Sequence, residues 1–158
     1  WWRFHRRAAR DGAGHQFSYM FYTSQQTAAQ TIRAIRQSEV LAAAIDAGMV
    51  KKVIYPDTCE PDRPQLEDYS DPSWPLPIQR TWPSYIMGVS AMWLGLIEEM
   101  KQGDTADETD IYALYDQYKA INESVMLAWY ADGQHAFLHH LSAVFGYEPM
   151  LIRKEIRF

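Results

Sequence analysis

The chain of 158 residues contains one cysteine, Cys59, so an internal disulfide is excluded, as fits a reducing compartment. Acidic neighbours disfavour its thiolate, which makes it a poor nucleophile. Long hydrophobic runs are missing too. The most apolar stretch, residues 85–97, has thirteen residues without a charge. A bilayer-spanning helix needs roughly 20, and Glu98 and Glu99 follow at once. No P-loop, dinucleotide glycine fingerprint, nucleophile elbow or paired metal knuckle is present, so no cofactor is implied. Basic residues are scarce beyond the first ten. Four of the fifteen lie there, leaving eleven against twenty acidic residues, a net charge near −9 for the body. Clustered Lys and Arg are what neutralise phosphates, so nucleic acid is not an expected partner.

What is present reads as a mainly α domain. Its length is that of one domain able to bury a sizeable core, and 47% hydrophobic and 22% charged residues are ordinary for a globular protein. The reading divides the chain into a basic segment, 1–12, and a single helical domain, 13–158. The architecture expected is a bundle around a buried central helix, residues 83–101. No orientation of residues 85–97 offers water a polar face, and a helix apolar all round is a buried one. Pro83 suits its first turn and Gly103 its stop. Ser84, Gly88, Ala91 and Gly95 fall at helical spacing and form a stripe of small side chains. Another backbone can approach closely there. A neighbouring helix of the same chain, a flat ligand and a homodimer seam are the three candidate occupants.

The N-terminal WWRFHRRAAR places Trp1 and Trp2 before Arg3, Arg6, Arg7 and Arg10. Indoles favour the headgroup layer and arginines the cytosolic side, so a juxtamembrane segment following a spanning helix is one reading. A short amphipathic helix on anionic lipid is a second. A terminal helix packing Trp1, Trp2 and Phe4 onto the domain is a third. Asp11, Gly12 and Gly14 form a joint. Loose alternation then predicts a strand at about 16–22. With residues 50–55 and 150–158, it would make a small two- or three-stranded β element.

Thr23 or Ser24 caps a helix to about Gln37, and a second runs over residues 38–47 to Gly48. Residues 105–108 match a capping box ahead of a helix reaching about Ala131, with Ile111, Leu114, Tyr118, Ile121, Val125 and Ala128 inward. Gly133 is expected to break it. A further helix, residues 134–145, would bury Phe137, Leu138, Leu141, Val144 and Phe145, completing an antiparallel hairpin.

Residues 56–82 hold six of the eight prolines, six acidic residues and only Arg63 and Arg80. A loop this long is usually functional or disordered. Asp62, Glu67, Asp68, Tyr69, Asp71 and Trp74 read as an acidic recognition surface for a basic protein, or as a strap pinned across the domain by its rings. His135 and His139, four apart, have the spacing of two metal ligands, but no third stands at helical spacing beside them. Two functional readings follow. The first is a non-enzymatic protein-interaction domain on the cytoplasmic side of a membrane, an adaptor subunit or an inhibitor of a partner. The second is a small helical enzyme or a ligand- or metal-binding protein with a pocket beside the 83–101 helix.

Overall fold

The computed structural model describes residues 1–7, 15–56, 65–101 and 110–148. The fold is mainly α with one small sheet, as expected. Its elements are β1 (Trp2–Arg7), β2 (Gln16–Phe21), α1 (Gln25–Arg36), α2 (Glu39–Asp46), a 3₁₀ turn (Leu66–Tyr69), α3 (Leu76–Met100) and α4 (Ile111–Ala128). A π-helix (Trp129–His139) and α5 (His140–Val144) follow.

The N-terminal segment is neither of the helices considered for it; it is the first strand. β1 pairs antiparallel with β2, matching Trp2 with Phe21, Phe4 with Tyr19 and Arg6 with Phe17. Rings drive this pairing: Phe4 lies 5.2 Å from Tyr19, 5.3 Å from Phe17 and 5.5 Å from Trp2. Such cross-strand aromatic contacts are the unit of sheet stabilisation. Trp1 and Tyr22 exchange both backbone bonds, at 2.8 and 3.0 Å. By alternation, the Phe4 N–H points off the open edge. It donates to Ser90 Oγ of α3 at 3.2 Å, while that hydroxyl donates to the Ile86 carbonyl at 2.9 Å. Phe4 also meets Trp93 edge-on at 5.6 Å. The sheet is thereby docked on α3 through a buried serine.

The strand expected at about 16–22 is observed as Gln16–Phe21; residues 50–55 are not a strand. After α2 the chain turns at Gly48, with φ of 71°, and both Met49 and Val50 N–H groups donate to the Ala44 carbonyl. The following segment runs back along α1, where the Arg36 guanidinium sits 4.5 Å over the Tyr55 ring. Docking on a helix face has replaced ladder pairing. The expected strand at 150–158, the joint at Gly12 and Gly14, the stop at Gly103 and the capping box at 105–108 lie outside the described residues.

Helix α1 begins at the expected cap, with Ser24 Oγ accepting from Thr27 N–H, and α2 begins at Ser38. The central helix starts earlier than expected, at Leu76, and Pro83 lies inside it. A proline there leaves the carbonyl four residues back without its helical donor. That carbonyl belongs to Gln79, and Ser70 Oγ donates to it at 2.8 Å. The strap therefore repairs the break in the helix it crosses, and the Pro83 ring is fully buried.

The expected hairpin is absent. α4, capped by Asp110 at the amides of Tyr112 and Ala113, runs through the π-helix into α5 as one continuous rod. Gly133 lies within the helix, and its lack of a side chain leaves room for the Trp129 indole. A Cβ there would lie 2.8 Å from Trp129 Cε3. The indole fills that slot and stacks on Phe137 at 5.8 Å. A π-helix spreads its residues more widely per turn than an α-helix, which gives room for this arrangement.

The core is small. Ile32, Ile121, Val125, Pro83 and Ser90 are the buried side chains among those described. Of the residues expected inside the hairpin, Leu138, Val144 and Phe145 are exposed.

Candidate functional site

The acidic strap is built into the fold. Asp68 accepts from the Gln65 N–H at 2.7 Å and Asp71 from the Ser73 N–H at 2.8 Å. Glu67 holds Arg80 Nε at 2.7 Å. The Arg80 hydrogen bond keeps the Glu67 carboxyl below its ordinary range, and hydrogen bonding from Ser73 does the same for Asp71. Tyr69 donates its hydroxyl to the Met20 carbonyl at 3.1 Å, and burial raises its pKa against the opposing charge of Arg3. Trp74 meets Trp82 edge-on at 5.4 Å, and Gln79 Nε2 donates to the Trp74 carbonyl at 2.6 Å. These contacts tie residues 65–82 to the rest of the fold; Asp62 lies outside the described residues.

The N-terminal arginines do different work. Arg3 lies 5.2 Å from the Tyr69 centroid and 4.8 Å from that of Trp82, tying β1 to the strap and to α3. Its Nε is buried without a hydrogen-bond partner among the described residues, so ring faces supply its stabilisation. Arg6 sits 5.4 Å over Trp93 and donates Nη1–H to Asn122 Oδ1 at 3.0 Å. Arg7 is exposed, Trp1 is 43% exposed and Trp2 half-buried. Arg10 lies outside the described residues.

Two surfaces flank α3. Toward β1 and α4, Trp93 and Ile97 form one wall of an open cleft of about 370 Å³. Ile121 and Val125 of α4 form its floor, and Arg6 and Lys119 stand at its polar end. On the opposite side Ser84, Gly88, Ala91 and Gly95 are all exposed, together with Tyr85 and Leu94. A Cβ added at Gly88 or Gly95 would meet nothing within 4 Å. The small-residue stripe thus has no neighbouring helix among the described residues, contrary to the intrachain packing expected for it. Residues 85–97 of α3 carry no charge, yet among the described residues they are covered on one side only.

His135 and His139 are exposed on the π-helix, with ring centroids 5.4 Å apart and planes nearly parallel. Stacked rings turn faces rather than ring nitrogens toward each other. His140 and Tyr147 complete this aromatic group. No group of three or more His, Cys, Asp or Glu among the described residues is arranged to hold a metal ion. None of their helices is long and apolar enough to cross a membrane.

The sequence suggested a pocket beside the 83–101 helix, at the small-residue stripe, but not this cleft or its lining residues. Tyr115, Tyr118, Lys119 and Asn122 do share one side of a helix, which is a signal of sorts. Arg6 comes from a strand more than a hundred residues away, and nothing local links the two. Compared with known protein families, curated proteins and solved structures, the chain matches none.

Proposed function

We propose that this is a non-enzymatic protein-interaction domain, an adaptor or inhibitor module, whose docking face is the outer side of α3. One observation carries the reading: a helix without a polar side leaves Tyr85, Gly88, Ala91, Leu94 and Gly95 in water. Exposed contiguous apolar surface marks interaction sites in soluble proteins. The small side chains admit a helix at close range. Glu98 and Glu99 at the end of the face, and the net charge near −9 beyond residue 10, select a partner helix with basic flanks. The strap, with Glu67, Asp68, Asp71 and Trp74 committed within the chain, positions α3 rather than presenting the docking groups.

A place on the cytoplasmic side of a membrane belongs to the same proposal. It is supported by the partly exposed Trp1 ring and the exposed basic end of β1 at Arg6 and Arg7. Co-sedimentation of the full-length protein with membranes after a high-salt wash is the expected result; recovery in the soluble fraction alone removes this part.

The test of the docking face uses capture from the source cells with the wild-type chain and the Gly95→Leu and Leu94→Asp variants. Both positions are exposed, so the variants should fold normally. A stoichiometric protein partner lost with both variants is the expected outcome. A partner retained by both, or self-association as the sole interaction lost, overturns the reading.

A further inference from the structure

The cleft on the other side of α3 carries an inference independent of the docking face. We propose that it binds a small amphipathic carboxylate, an anionic head with an aliphatic or aromatic body. Its volume of about 370 Å³ falls within the roughly 300–1,000 Å³ of small-molecule sites. Its walls are mostly hydrophobic: Trp93 and Ile97 from α3, Ile121 and Val125 from α4, with the Tyr115 and Tyr118 rings at the rim. Polar groups are few and lie together. They are Arg6, Lys119 and Asn122, with no carboxylate lining the cleft.

Charge makes this placement specific. A chain with a net charge of −5 repels anions, so an anion must be held by cations not already neutralised. Among the described residues neither Arg6 nor Lys119 pairs with a carboxylate. Arg6 is held in place by its Asn122 bond and by the Trp93 face. That contact uses one of the guanidinium's five N–H donors, and the fork of the remainder suits a carboxylate. Lys119, one helical turn before Asn122, adds a mobile point charge. The preference is for a small anionic head on an apolar body, because three polar side chains serve one end and the rest of the lining offers hydrocarbon and rings.

The experiment titrates the full chain with decanoate, decanol and decyltrimethylammonium, each below its micellar range, by calorimetry and by the Trp93 indole N–H signal. Decanoate should bind at one site and shift that signal, with decanol about tenfold weaker, as loss of a charge-assisted hydrogen bond implies. The cation should not bind. Lys119→Met, at an exposed position, should weaken decanoate about tenfold, and Arg6→Met should weaken it at least as much. Equal binding of decanoate and decanol, decanoate affinity unaffected by Lys119→Met, or no binding by any probe overturns the proposal. Failure here leaves partner capture by the α3 outer face intact, because the two sites share no residue.

Discussion

Ser70 shows how much one side chain settles. Pro83 interrupts α3, and a single hydroxyl from the strap satisfies the carbonyl it frees. Ser70→Ala should cost about 1 kcal/mol, the usual worth of such a bond, measurable as a lower urea midpoint with an unchanged slope. The strap also carries two opposed titrations. Arg80 depresses the Glu67 carboxyl below 4.5, so this contribution is present above the unfolded value and is lost as pH falls through the folded one. In Arg80→Met the Glu67 carboxyl signal should titrate near its ordinary value. Burial raises the Tyr69 hydroxyl above 10.0. That contribution is complete below pH 10.0 and is lost as pH rises through the folded value. Alkaline ultraviolet titration should therefore show one tyrosine ionising late, and Tyr69→Phe should abolish that late step. None of these pairings was legible in the sequence. Proline and acidic content marked residues 56–82 as unusual, but their hydrogen bonds depend on where α3 passes.

The Ser24 and Ser38 caps and the Gly48 turn carry strong local signals and stand where expected; the strand from Gln16 is present although its alternation is loose. Errors arose where a side-chain contact overrode a backbone signal. Gly133 looked like a breaker, yet it is a slot for Trp129. The sign of a substitution separates these accounts. In an ordinary exposed helix Gly133→Ala would stabilise by about 1 kcal/mol, whereas the 2.8 Å approach to the indole predicts a loss of about 1–3 kcal/mol from overpacking. Thermal unfolding together with the near-ultraviolet signal of the Trp129–Phe137 stack reads the difference. Gly95 gives the opposite forecast. With nothing within 4 Å of its Cβ, Gly95→Ala should stabilise the isolated domain by about 1 kcal/mol. The same change should weaken partner binding. A destabilised Gly95→Ala would mean that the stripe is packed within the chain.

At the scale of the molecule, the sequence pattern implied a buried central helix, and the structure leaves half of it in water. Periodicity reports that a face is apolar; it does not report what covers it. The same holds for the rod beyond α4, where Leu138, Val144 and Phe145 looked like core but are exposed. So few buried side chains among the described residues accord with the proposal that the chain completes its packing on another protein. The central claim is that the outer side of α3 is where this happens. The most direct measurement replaces Leu94, and in parallel the exposed Glu39 on α2, with a photo-crosslinking amino acid in the source cells, and identifies the adducts by mass spectrometry. The account predicts a single protein adduct at Leu94, mapping to a helix with basic flanks, and none at Glu39. Equal labelling at both positions, or no adduct at Leu94, would contradict it.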